Sequence, residues 1–123
     1  MKFKSKPILA AAALALGVSA GNAASATDLQ AGQAAFEKFA CASCHGADAK
    51  SSVMPTYPIL AGQHEDYLAH ALRAYKRGAT GSTPVNARKN PVMTAMAQQL
   101  SETDVRNIAA WLARMPSNLA VRR

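Results

Sequence analysis

Only two cysteines, Cys41 and Cys44, occur in the 123 residues. A zinc site needs four ligands, and His64 and His70 do not form a second ligand pair of familiar spacing, so structural zinc is not expected. Aromatic residues make up 6% of the chain and do not interleave with basic positions, which argues against a nucleic-acid surface. No apolar run is long enough to span a bilayer: Pro7 to Val18 falls well short. No stretch sustains the period-two alternation of a strand, so an all-α chain is expected. Acidic residues are scarce, 7 against 14 basic ones.

The N-terminus has the pattern of an export signal. Lys2, Lys4 and Lys6 precede the apolar stretch, and Ala24-Ser25-Ala26 fits an A-x-A cleavage site. A cut after Ala26 is expected, with a cut after Ala23 as the alternative. Residues 1–26 are then a cleaved signal peptide, and Thr27 to Arg123 form one domain of 97 residues in the periplasm. Without the three leader lysines, eleven basic residues face seven acidic ones, a net charge of +4. A core this small is marginal unless something staples it.

The apolar spacing of the remaining chain is helical, with Gly and Pro at the breaks. A first helix is expected over about Leu29 to Phe39, starting at Thr27 or Asp28, with Leu29, Gly32, Phe36 and Phe39 on one face. Residues 46–63 lack a helical pattern. A second helix is expected over about His64 to Arg77, with Tyr67, Leu68, Ala71, Leu72 and Tyr75 as its buried stripe and Gly78 as C-cap. After a polar, irregular segment from Ala79 to Asn90, a short helix begins near Pro91. The last helix opens on Ser101-Glu102-Thr103-Asp104, a capping box with Asp in place of Glu, and Pro116 ends it.

Against this background stands Cys41-Ala42-Ser43-Cys44-His45. Two thiols three positions apart share one face of a helical turn, the spacing that suits covalent attachment to a single haem edge. The adjacent imidazole suits one axial position on the iron. Two lone thiols in an oxidising compartment ordinarily form a disulfide. The neighbouring histidine and the lack of a thioredoxin-like βαβ pattern favour haem. Such a macrocycle would also staple the small core.

The opposite face of the iron decides function: left open it permits peroxide or small-gas chemistry, and filled it leaves electron transfer. Met54, Met93, Met96, Met115, His64 and His70 are the side chains available to fill it. His70 sits beside Asp66 and Arg73 and reads as a surface residue. Met93 and Met96 lie three apart on the short helix, and spacing alone does not separate them.

The chain resembles the class I c-type cytochromes, most closely the small bacterial c553 type and single halves of the dihaem c4 type. The resemblance rests on Cys41 to Gly46, on Tyr57-Pro58-Ile59-Leu60-Ala61-Gly62-Gln63, on Asn90-Pro91-Val92-Met93, and on Leu100-Ser101 leading to Ala109-Ala110-Trp111-Leu112-Ala113. It implies the class I cytochrome c fold, about four helices wrapped around one haem. It also implies one covalent haem c on Cys41 and Cys44, with iron between His45 and Met93. The family's ligand methionine lies seven residues before the leucine preceding the last cap, and counting back from Leu100 gives Met93. The family's loop proline accepts a hydrogen bond from the ligand histidine, a part that falls to Pro58. Gly32 and Phe36 are expected against Trp111. Two positions depart from the pattern: Ala49 stands where a glycine is usual, and Trp111 where a tyrosine is. The implied function is a periplasmic electron carrier, not an enzyme. The alternative is a haem c subunit of a periplasmic dehydrogenase or oxidase complex. Redox proteins with an acidic docking surface are the expected partners, facing Lys76, Arg77, Arg88 and Lys89; membrane contact would come only through redox complexes.

Overall fold

The computed structural model describes residues 25–80 and 87–119. Five helices occur in that part of the chain: α1 (Ala26–Lys38), α2 (Ala42–His45), α3 (Glu65–Gly78), α4 (Pro91–Gln98) and α5 (Glu102–Arg114). Among the described residues there is no strand, in keeping with the all-α class I cytochrome c fold. The helix beyond the expected four is α2, the single turn that carries the two cysteines. The expected signal segment before Ser25 and the residues from Ala120 on lie outside the described residues.

The two ends of the domain meet where α1 packs on α5. Gly32 makes this possible: a Cβ there would collide with the Asn107 carbonyl oxygen and lie 2.7 Å from the Trp111 Cβ. One turn on, the Phe36 and Trp111 rings lie 5.1 Å apart and tilted, as expected. Phe36, Val105, Ile108, Ala109 and Leu112 are buried at the centre of the core. α3 packs on both α5 and α4. Exposed ion pairs at 2.9 Å (Arg73–Glu102) and 3.6 Å (Glu65–Arg114) link α3 to α5 and contribute little to stability.

Both ends of this helix pair start with the same device. Ser101 and Asp104 form the expected capping box, the Asp104 N–H donating to Ser101 Oγ at 3.0 Å and the Ser101 N–H to Asp104 Oδ2 at 2.9 Å. Ser25 and Asp28 form another, so α1 begins three residues before the expected Leu29. The second helix also departs from expectation. Gly78 is the last residue of α3 rather than its cap, and the Arg88 carbonyl oxygen occupies the place its Cβ would take. Leu68, Ala69 and Ala74 are the buried residues of α3, whereas Tyr67 is exposed and turns toward Arg88.

Candidate haem site

The attachment turn follows α1 almost without a break. Phe39 caps α1, and Ala40, at φ 53°, reverses the chain so that the Cys41 N–H bonds the Phe36 carbonyl at 3.0 Å. Cys41 is then the N-cap of α2, and the His45 N–H bonds the Cys41 carbonyl at 3.0 Å. Both thiols are free and half-buried, on one helical turn. Burial raises the Cys41 thiol above its ordinary value.

Gly46, at φ 81°, ends α2 and starts a loop that folds back over it; a Cβ at this glycine would meet the Ser51 carbonyl at 2.5 Å. Asp48 ties the turn. Its carboxylate accepts from the Ser51 N–H at 2.8 Å, the Lys50 N–H at 3.0 Å and the Ser51 hydroxyl at 2.7 Å, and these bonds lower its pKa to about 2. The Val53 N–H returns to the Cys44 carbonyl at 3.1 Å, and the buried Ala49 carbonyl accepts from the Leu60 and Ala61 N–H groups at 2.8 and 3.0 Å. The Gly62 N–H anchors the loop's end to the Leu112 carbonyl of α5 at 2.9 Å.

This wrapping brings Pro58 to the histidine. His45 is buried, and its Nδ1 lies 3.2 Å from the Pro58 carbonyl oxygen. A carbonyl only accepts, so Nδ1 carries the proton and Nε2 keeps its lone pair for a metal. The Tyr57 ring lies 6.1 Å from the imidazole, tilted by 45°.

The six side chains considered for the opposite face fall in different settings. Met93 is half-buried on the first turn of α4, where its backbone N–H is capped by Asn90 Oδ1 at 3.0 Å. Met96 is one turn further on, with its sulfur 3.9 Å from Gln99 Nε2. Met54 is exposed, Met115 packs against the core, His64 is the N-cap of α3, and His70 is exposed. Two further arrangements lie near α4: Arg88 between Tyr67 and Tyr75, and Lys76, whose Nζ donates to the Leu100 carbonyl. Neither is visible as a sequence pattern, because the partners lie 13 or more positions apart.

Residues 29–116 match the family model for cytochrome c. The chain belongs to the cytochrome c family. It is 39% identical over 107 residues to cytochrome c4 of Stutzerimonas stutzeri, which covers 86% of this chain and 49% of that protein. It is 34% identical over 111 residues to a thiosulfate dehydrogenase electron acceptor of the same species, covering 90% and 48%. Cytochrome c-553 of Helicobacter pylori is 35% identical over 100 residues, covering 80% of this chain and 91% of that protein. The chain thus spans about half the length of the first two relatives.

As a cytochrome c, the chain carries one covalent haem c with its iron. The residues present fit that group: two free thiols on one turn, and an adjacent imidazole with Nε2 available. Large apolar side chains that a small domain would otherwise bury are exposed around this cytochrome motif and α4. Val53 is 63% exposed, Met54 48%, Ile59 39% and Val92 56%. They supply apolar surface of the kind a macrocycle covers. Among the described residues no helix is long and apolar enough to cross a membrane.

Proposed function

We propose that this chain is a periplasmic one-electron carrier with no substrate of its own. In this reading Cys41 and Cys44 hold the haem, and His45 and Met93 hold the iron. The haem supplies a reversible one-electron couple. The chain's part would be to keep the His45 and Met93 side chains in place and water away, so that little moves when the charge changes.

The single observation that carries the reading is the His45–Pro58 hydrogen bond. It fixes tautomer and ring direction together, and a carbonyl on Nδ1 makes Nε2 a better donor. For Met93 the support is the spacing to Leu100 and the capped first turn of α4, while the Met96 sulfur already has Gln99 beside it. A thioether is a soft ligand that favours the reduced ion and raises the potential relative to two histidines. Carbon monoxide offered to the reduced protein tests the reading. Slow uptake fits iron that would be held by both His45 and Met93, and rapid uptake contradicts it.

Export fits the basic n-region and the short apolar stretch. Of the two cuts, the one after Ala23 leaves Ser25 to cap α1, and that favours it. An acidic partner fits the net positive charge, although Lys76 and Arg88 are engaged within the fold. A second reading, a haem subunit docked on a dehydrogenase, is favoured by the likeness to the thiosulfate dehydrogenase electron acceptor. Co-purification with a large partner separates it from a free carrier, which elutes alone on gel filtration.

A further inference from the structure

Arg88 lies five positions before Met93, just ahead of α4. Three attachments hold it there. Its guanidinium stands 5.3 Å from the Tyr67 ring centroid and 5.8 Å from that of Tyr75, and it donates to the Tyr67 hydroxyl at 3.2 Å. Its N–H donates to the Ala74 carbonyl at 3.0 Å. Its carbonyl rests against Gly78, where any Cβ would collide with it. Only Lys89 separates Arg88 from Asn90, whose side chain caps the Met93 N–H. The opposite end of α4 is tied to the same helix: Gln98 Nε2 donates to the Lys76 carbonyl at 2.8 Å, and Lys76 Nζ reaches the Leu100 carbonyl.

The helix between these ties, α4, is two turns long and contributes one fully buried residue, Ala97. Its other residues are half-buried or exposed. A methionine ligand on such a helix stays bound only while the helix stays docked, because docking sets the local concentration of the thioether at the iron. We propose that Arg88 is a positioning residue for Met93: stacked on Tyr67 and Tyr75 and seated on Gly78, it latches the N-terminal end of α4, and loosening it opens the iron's sixth position without unfolding the domain. This rests on Met93 being the ligand.

The test is imidazole uptake by the ferric holoprotein, read beside its long-wavelength iron–thioether band and its far-UV circular dichroism. The unmodified protein should show the band and take up imidazole slowly. Arg88→Ala should raise the apparent affinity about tenfold, the scale expected for losing a cation–π contact and a charged hydrogen bond, with helix content unchanged. Tyr67→Phe, which removes only the accepting hydroxyl, should give a smaller rise in the same direction and carries the test if Arg88→Ala fails to fold. Arg73→Ala, also on α3 but paired with Glu102 rather than holding α4, should behave like the unmodified protein. The proposal is overturned if the Arg88 or Tyr67 variant that folds binds imidazole like the parent, or if Arg73→Ala shows the same rise. An unmodified protein that lacks the band, and binds imidazole as readily as Met93→Ala, overturns the ligand assignment and the latch together.

Discussion

The Nδ1 of His45 and the carbonyl oxygen of Pro58 lie 3.2 Å apart across thirteen residues of sequence. The acceptor is a backbone group, so the side chain at 58 acts only through the shape of the loop. Pro58→Ala is therefore expected to retain the bond and the iron–thioether band. It should lower stability by about 0.4–1 kcal/mol, because the unfolded chain gains freedom. Denaturant melts and the ferric spectrum check this; loss of the band would assign the ring a direct part in ligation.

The contact between α1 and α5 has no room for a methyl group at Gly32. Gly32→Ala must push the Asn107 carbonyl away or separate the helices, at a cost of about 3 kcal/mol, as overpacking against backbone requires. A urea midpoint within error of the parent would contradict this packing.

Ala40 presents the opposite case. It is exposed and holds φ 53°, the left-handed region that penalises a Cβ. Ala40→Gly should stabilise the protein by up to about 1 kcal/mol, read as a higher thermal midpoint. Ala49 shares the conformation at φ 55° but is fully buried, so its methyl group also fills space, and the same substitution there should gain less.

Acid should act through the turn beside the attachment site. Asp48 has a folded pKa of about 2, below the roughly 3.9 of an unfolded aspartate, so protonation favours the unfolded chain. Its contribution is complete above the unfolded value and is lost as pH falls through the folded one. Asp28 and Asp104, lowered chiefly by the hydroxyls of Ser25 and Ser101, add in the same direction. Urea midpoints should fall between about pH 4 and pH 2, and Asp48→Asn should flatten that slope. An unchanged slope in the variant would remove Asp48 from the account.

Local signals carried much of this fold because each acts over one turn. Ser101-x-x-Asp104, Pro91 and the two thiols at 41 and 44 sit where their spacing says. Ser25-x-x-Asp28 has the same form, yet it overlaps the cleavage motif, and that overlap hides the true start of α1. Under the proposed export, a chain beginning at Ala24 keeps the cap, which its intact mass checks, and Ser25→Ala should then lower the thermal midpoint by a few degrees. What escaped the sequence depends on distant partners. Gly78 reads as a helix stop by itself, whereas its work is to admit the backbone of Arg88. Tyr67 reads as core by periodicity, but it serves as a platform for a cation 21 residues on. Lys76 reads as part of a docking face until the Leu100 carbonyl is seen to hold its ammonium.

The measurement closest to the central claim is the long-wavelength absorption of the ferric holoprotein before and after Met93→Ala. The parent should show the weak iron–thioether band, and the variant should lose it while Met96→Ala keeps it. A band that survives Met93→Ala would contradict the assignment of this methionine to the iron.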